Sequence, residues 1–242
     1  MKGMIFAAGI GSRLKPWTDA HPKALVEVGG KPVIAHVIDK MLSSGISSII
    51  INVHHFAEQI VDYVQTTYPD KDIKFSDETA LLLDTGGGLR KALDLIGNED
   101  VLIHNADILS DINLQSLTDA HTDSDITLLT QERITQRYLL FDNQNLAGWI
   151  NIKTGETRPD GFQVTSNLSK RAFGGIHIVS ASVFDKLKNF AHDETPFSII
   201  NFYIENCREF KIRSLDLPQG KSWFDVGKPE TLQLARNFYN NG

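Results

Sequence analysis

Residues 6–28 read FAAGIGSRLKPWTDAHPKALVEV. An apolar run breaks into Gly9-x-Gly11, and Arg13, Lys15 and Lys23 follow closely. This is the chemistry of an anion site. Gly9 and Gly11 allow positive φ and close backbone approach, so that several N–H groups can converge on one ligand. Arg13 adds a planar fork suited to phosphate oxygens, and Lys15 and Lys23 add point charges. Pro16 and Pro22 stiffen the loop. A dinucleotide fingerprint does not fit, because its third glycine position holds Leu14 and no acidic residue closes a second strand at the expected distance. A Walker loop does not fit either, since Gly30-Lys31 is followed by Pro32. A plain glycine turn would account for Gly-x-Gly alone. The added Arg13 and Pro22-Lys23 point to phosphate.

Other residues suggest chemistry less directly. Asp107 ends the run VLIHNAD, and ligands of open α/β sheets bind beyond the carboxyl ends of strands. A carboxylate there suits Mg²⁺, which takes one or two protein carboxylates plus phosphate oxygens. A turn cap explains Asp107 or Asp111 equally well. DTGGGLRKAL, residues 84–93, joins a glycine run to a helix start, where Asp84 or Thr85 would serve as the cap. The glycines would also let a flat base approach. Glu78 fits a base acceptor and a solvated surface charge alike. AFGGIH, residues 172–177, reads as a glycine bend in a strand, with His177 as a sugar contact or a strand residue. Adjacent His54 and His55 would face opposite ways in a strand and cannot easily share a metal, so a strand-end turn fits them better. His104 reads as a satisfied core histidine. Trp17 and Trp223 fit packing as well as a site lining.

The elements that must position these residues alternate in the first half. Strands are expected over 4–8, 49–53, 73–76 and 101–107, and helices over 32–42, 57–68 and 87–96. That alternation predicts parallel pairing in a doubly wound sheet. The second half is richer in strands, with helices expected over 182–190 and 197–206 and a last helix from Pro229. Residues 142–169 are polar and turn-rich, an excursion from the sheet.

The chain has 242 residues with a net charge of −6. Apart from the opening loop its basic residues are scattered, which argues against a nucleic-acid partner and for a small anionic one. The single Cys207 excludes an internal disulfide framework and suits a reducing compartment. The opening apolar run is too short for a signal peptide or membrane span. The expectation is a cytoplasmic protein without membrane partners, forming one domain over 1–242.

AAGIGSRLKPWTDAHPKALVEVGGKPVI, at residues 7–34, resembles the signature of the sugar-1-phosphate nucleotidylyltransferases: a glycine turn, an arginine, then Pro-Lys. NADILSD and WFDVGKPETL, at residues 105–111 and 223–232, extend the likeness along nearly the whole chain. The resemblance implies a Rossmann-like, mostly parallel α/β sheet flanked by helices, of the nucleotide-diphospho-sugar transferase type. It implies that an NTP and a sugar 1-phosphate give an NDP-sugar and pyrophosphate. It further implies that Arg13 and Lys23 hold the phosphates and that Asp107 and Asp225 meet at one Mg²⁺. The base would lie between Ala7, Ala8 and Gly9 on one side and the loop with Thr85, Gly86 and Gly87 on the other, with Gly11 and Glu78 as further candidate nucleotide contacts. The sugar would lie beside Asn105 and Gly175. Compact length and DTGGGLRKAL look most like the N-acetylmuramate-1-phosphate uridylyltransferase and mannose-1-phosphate guanylyltransferase branch, without the C-terminal β-helix of longer members. The Glu-Lys-Pro element that holds the sugar phosphate in many members has no match, and Arg158-Pro159 or Lys170-Arg171 stand as substitutes. Two rival readings are a CTP:phosphocholine cytidylyltransferase and a non-catalytic nucleotide-sugar regulator.

Overall fold

The computed structural model describes residues 1–192 and 195–240. Its order is β1 (Lys2–Phe6), β2 (Glu27–Val28), β3 (Lys31–Pro32), α1 (Val33–Ser43), β4 (Ser48–Val53), α2 (Ala57–Thr67), β5 (Asp72–Asp77), α3 (Asp84–Ile96), β6 (Val101–Asn105), β7 (Ile108–Ser110) and α4 (Leu114–Ala120). The second half adds β8 (Ile126–Gln131), β9 (Arg137–Asp142), β10 (Asn145–Asn151), β11 (Thr157–Arg158), β12 (Ser169–Val179), α5 (Phe184–Lys188), α6 (Ile199–Glu205), β13 (Ile212–Asp216), β14 (Trp223–Asp225) and α7 (Pro229–Asn240).

One main sheet runs β11-β10-β13-β8-β12-β6-β1-β4-β5, with β9 against β10 and β12. The quartet β6, β1, β4, β5 is parallel, as the alternation predicts. Its inner strands β4 and β6 are nearly all buried because helices cover both faces, whereas β5 at the edge is more polar and exposed. The sheet as a whole is mixed. β12 runs antiparallel between β6 and β8, and β9 and β10 form an antiparallel hairpin. Short turns of the kind at Asn143 can join only antiparallel neighbours, whereas parallel pairs need a crossover.

Two large cores lie on the two faces. One packs Leu89, Leu93, Phe202 and Tyr203 of α3 and α6 against Met4, Ile103 and Phe141. The other packs Ile34, Ile38 and Met41 of α1, with Ile60 and Val64 of α2, against Ile5, Ile49 and Ile51. In α1 these residues recur at helical spacing and leave His36 and Lys40 on the other side. A third, smaller cluster joins Leu14 and Val26 of the opening loop to Leu109, Val226, Leu232 and Ala235. It ties the phosphate-type loop to β7, β14 and α7.

Candidate active site

The carboxyl ends of the parallel quartet surround a cavity of about 440 Å³. Phe6, Ala7, Ala8 and Gly9 come from the end of β1, Asn52 from β4, Glu78 from just past β5, and Asn105, Ala106 and Asp107 from the end of β6. The strand order places Glu78 and Asp107 on opposite sides of it.

On the β5 side the polar groups form a chain. The Ala7 N–H donates to Asn52 Oδ1 at 2.8 Å, and Asn52 Nδ2 donates to Glu78 Oε1 at 2.7 Å. The Leu83 N–H donates to Glu78 Oε2 at 3.1 Å. Glu78 is fully buried, which excludes the solvated-charge reading. Burial pushes its carboxyl above the ordinary value, and the bonds from Asn52 and Leu83 oppose that push.

On the β6 side the Lys23 ammonium pairs with the Asp107 carboxylate. β7 and β14 pair antiparallel with Asp225 opposite Ile108, so this strand pair brings Asp225 beside Asp107 although the two lie far apart in sequence. The Val226 N–H donates to the Asp107 carbonyl at 2.9 Å, and the Gly227 N–H to Asp225 Oδ1 at 2.9 Å. Arg13 Nη1 lies 4.0 Å from Asp225 Oδ2. A Cβ on Gly227 would come within 3.0 Å of Lys23, Arg13 and Asp225 at once. Arg13, Lys23, Asp107 and Asp225 therefore converge beside the β6 end of the cavity, which Lys23 and Asp107 line and Arg13 and Asp225 do not. Among the described residues no group of three or more His, Cys, Asp and Glu could hold a metal. Two carboxylates suit a cation that completes its shell with phosphate oxygens, which is how Mg²⁺ binds.

Several sequence expectations change. Gly11 is left-handed at φ 70, and a Cβ there would strike Thr18 and Lys23, each at 2.9 Å. Gly9 lines the cavity without positive φ, and a Cβ on it would meet open space. Lys15 pairs with Asp19 at 2.9 Å on the surface and does not line the cavity. The glycine run is no loop over a base: it is the first turn of α3, and Gly86 and Gly87 do not line the cavity. Both N–H groups donate to the Phe197 carbonyl, at 2.8 and 3.3 Å. Leu82, Asp84 and Thr85 line the cavity instead. Asp84 and Thr85 are not caps; Leu83 holds the N-cap position and makes no side-chain bond. Thr85 Oγ1 accepts from the Ile199 N–H at 2.9 Å.

Gly175 sits at φ 75 in a bulge of β12, where a Cβ would come 2.9 Å from Ile108 and 3.0 Å from Asn105. It lines neither cavity but lets β12 approach Asn105. His177 is fully buried among Phe6, Phe173 and Tyr203, and is not a sugar contact. Neither of its ring nitrogens has a partner among the described residues. His104 is buried and only half satisfied: Nδ1 meets the Asn105 carbonyl at 2.9 Å, while Nε2 has no partner.

A second cavity of about 530 Å³ lies under β9, β10 and α6. Arg133, Arg137, Arg158, Trp149, Phe173 and Asn201 are among its lining residues. It neighbours the first cavity, because Arg133 stacks over the ring of Trp223 at 4.9 Å on the strand that carries Asp225. Sequence reading weighed Arg158 but missed Arg133, Arg137 and Asn52. Asn52 was detectable as a lone amide in an apolar strand. The arginines had no signal short of knowing how β9, β10 and β12 pair.

The first cavity, at the carboxyl ends of the parallel strands and beside the β14–β7 pair, defines a nucleotide-type α/β site. The chain matches the nucleotidyl transferase family over residues 2–242 and belongs to it. It is 27% identical over 238 residues to the N-acetylmuramate alpha-1-phosphate uridylyltransferase of Caulobacter vibrioides, covering 96% of this chain and 94% of that protein. It is 29% identical to the mannose-1-phosphate guanyltransferase of Yarrowia lipolytica, covering 99% of this chain but 64% of that enzyme. In fold it is similar to the inositol-1-phosphate CTP transferase from T. maritima, with a TM-score of 0.78 at 13% identity over 100% of this chain and 96% of that one. No described helix is long and apolar enough to cross a membrane.

Proposed function

We propose that residues 1–242 work as one unit that transfers a nucleotidyl group from an NTP to a sugar 1-phosphate, forming an NDP-sugar and pyrophosphate. The observation that carries this is the pair Lys23 and Asp107 at one end of a largely apolar cavity, with Arg13 and Asp225 gathered beside them. The base lies against the Ala7–Gly9 backbone. A free lone pair of Glu78 accepts the N3–H of uracil or the N1–H of guanine. Lys23 holds the α-phosphate and strengthens its contact as charge shifts in the transition state. Arg13, on the rim, holds the β- and γ-phosphates and neutralises the departing pyrophosphate. Asp107 and Asp225 would hold Mg²⁺, which when bound neutralises phosphate charge and aligns the reacting groups.

The acceptor enters through the second cavity, and its phosphate oxygen attacks the α-phosphorus in line. No histidine lines either cavity, and none is needed: a phosphate monoester has a second pKa of about 6, so the attacking oxygen is already deprotonated at neutral pH. UTP and N-acetylmuramate 1-phosphate are the preferred pair, supported by the near end-to-end match to the Caulobacter enzyme. GTP with mannose 1-phosphate is second. The second cavity argues against phosphocholine. Its arginines repel a quaternary ammonium, and Arg158 and Arg133 already cover the faces of Trp149 and Trp223. A regulator would be free to lose the metal carboxylates or Arg13, and this chain keeps them.

The test is a matrix of four NTPs against several sugar 1-phosphates, read as pyrophosphate release with and without EDTA. Release from UTP with N-acetylmuramate 1-phosphate is expected. No release from any pair would overturn the enzyme reading, and full activity in EDTA would overturn the metal assignment.

A further inference from the structure

The second cavity holds three guanidinium groups and one carboxylate, and the charges are unevenly matched. Arg158 is compensated: its Nε and Nη2 bond Glu156 Oε1 at 2.8 and 2.7 Å, its Nη1 donates to Asn201 Oδ1 at 3.1 Å, and it lies over Trp149 at 5.2 Å. It is therefore the least free of the three to bind an anion.

Arg133 and Arg137 are not compensated in this way. Arg133 is held over Trp223 and donates from Nη2 to the Phe173 carbonyl at 3.3 Å. Among the described residues it makes no ion pair inside 4.0 Å, and Asp225 acts on it through space. The Arg137 guanidinium makes no hydrogen bond or ion pair among the described residues, although its backbone is fixed in β9 opposite Asn151. The register between β9 and β12 pairs Leu139 with Arg171, so its continuation brings Arg137 level with Phe173. Both arginines thus flank Phe173, at the edge of the cavity next to the strand of Asp225.

That edge faces the strand of Asp225, which pairs with the strand just past Asp107, so an acceptor phosphate there lies on the side of the first cavity that holds Lys23. The first cavity cannot supply the charge to hold it: Lys23 and Arg13 are balanced there by Asp107 and Asp225. A triphosphate and a phosphate monoester together carry far more negative charge than one divalent cation offsets. Two uncompensated guanidiniums match the roughly two charges of the monoester at pH 7.

We propose that Arg133 and Arg137 form the clamp for the acceptor's phosphate, in place of the Glu-Lys-Pro element this chain lacks. Arg158, Glu156, Asn151 and Asn201 are left to face the hydroxyl groups of the sugar. The inference rests on the nucleotidyl-transfer reading for its catalytic meaning, but the clamp itself is a binding claim.

Arg137→Gln is the deciding variant, because Arg137 has no native side-chain bond to lose. Its KM for the sugar 1-phosphate should rise roughly ten- to a hundredfold, the range of one charge-assisted contact, while the KM for the NTP stays within about twofold. Arg133→Lys, which keeps charge but loses the fork, should behave similarly. Arg158→Gln should change the acceptor KM less than either. Calorimetry of N-acetylmuramate 1-phosphate and mannose 1-phosphate, on wild type and on Arg137→Gln without nucleotide, gives a readout independent of turnover. If wild type is active and Arg137→Gln leaves the acceptor KM and the calorimetric Kd unchanged, the clamp is wrong and the transferase reading survives. If no NTP and acceptor pair reacts but wild type binds a sugar 1-phosphate that Arg137→Gln does not, the clamp stands and the transferase reading fails. An equal loss of NTP and acceptor affinity would also overturn the clamp, by showing a general disturbance of the site.

Discussion

Asp107 and Asp225 reach one place from well-separated parts of the chain, and each is held by a neighbour: Asp107 by the Lys23 ammonium, Asp225 by the Gly227 N–H. Asp107→Asn keeps the shape and removes the charge. Turnover should fall by at least about a hundredfold with an unchanged circular dichroism spectrum, and Asp225→Asn should follow it. Arg13→Lys keeps the charge and removes the fork, so a large loss in kcat with little change in the acceptor KM is expected. Wild-type rates in any of these would mean the phosphate end has been assigned to the wrong residues. Glu78 makes a different kind of prediction. Its carboxylate takes bonds from both Asn52 Nδ2 and the Leu83 N–H. Glu78→Gln can satisfy one donor and turns its own N–H₂ on the other, at a cost of about 1–3 kcal/mol. Urea unfolding should register that loss; an unchanged midpoint would show that the chain Ala7–Asn52–Glu78 carries no stability. Arg13, Lys23 and Asp107 were legible in the sequence because loop glycines, cations and a strand-end carboxylate each have a local signature. The place of Asp225 beside Asp107 was legible only through family resemblance, since it depends on β14 pairing with a strand far away in sequence. Lys15 was misleading because a basic residue in such a loop looks the same whether it faces a ligand or an i+4 aspartate.

At the scale of elements, the glycines of α3 serve packing. A Cβ on Gly86 would fall within 3.0 Å of the Phe197 ring, and one on Gly88 would lie 2.7 Å from Glu78 Oε1 and 2.9 Å from Asn52 Nδ2. Alanine raises intrinsic helix propensity by up to about 1 kcal/mol, so in an open helix it would stabilise. Here both substitutions should do the opposite. Gly86→Ala should lower Tm by prising the Phe197 segment off α3. Gly88→Ala should lower Tm and also raise the KM for the NTP, because it pushes directly on Glu78. A Tm at or above wild type for either would show that the close contacts relax without cost. The sequence reading placed the helix start at Gly87 because three consecutive glycines look like a loop, whereas tertiary contact with Phe197 fixes them in the helix from Asp84. The parallel quartet was legible for a plain reason: β-branched runs alternating with amphipathic helices have one simple arrangement. The mixed half was not, because β12 enters between β6 and β8, a pairing that no local periodicity encodes.

At the scale of the whole molecule, two buried histidines make stability depend on pH. Burial holds His177 at about 3, with His104 adding to the effect, and holds His104 at about 4, below an ordinary value of 6.5. Above pH 6.5 each is neutral in folded and unfolded chains alike, so neither contributes a slope. Below 6.5 the unfolded chain takes up protons that the folded chain refuses. Stability is therefore lost as pH falls, by up to about 1.4 kcal/mol per pH unit for each histidine, down to about 4 for His104 and about 3 for His177. Glu78, raised by burial, works in the opposite sense from 4.5 up to its folded value, so the wild-type curve alone does not isolate the histidines. The variant His177→Phe does, because it keeps a ring in the cluster with Phe6, Phe173 and Tyr203 and removes the titration. Between pH 7 and pH 5 wild type should lose about 2 kcal/mol more than this variant in urea unfolding. Equal losses would mean that water reaches His177. The same variant separates stability from chemistry. If the acceptor's own ionisation sets the acid limb of the reaction, kcat with saturating substrates and Mg²⁺ should fall below about pH 6 in wild type and in His177→Phe alike. Loss of that limb in the variant would make His177 a proton acceptor in the reaction. That outcome would contradict its place in the core, where neither ring nitrogen has a partner and neither cavity is lined by it.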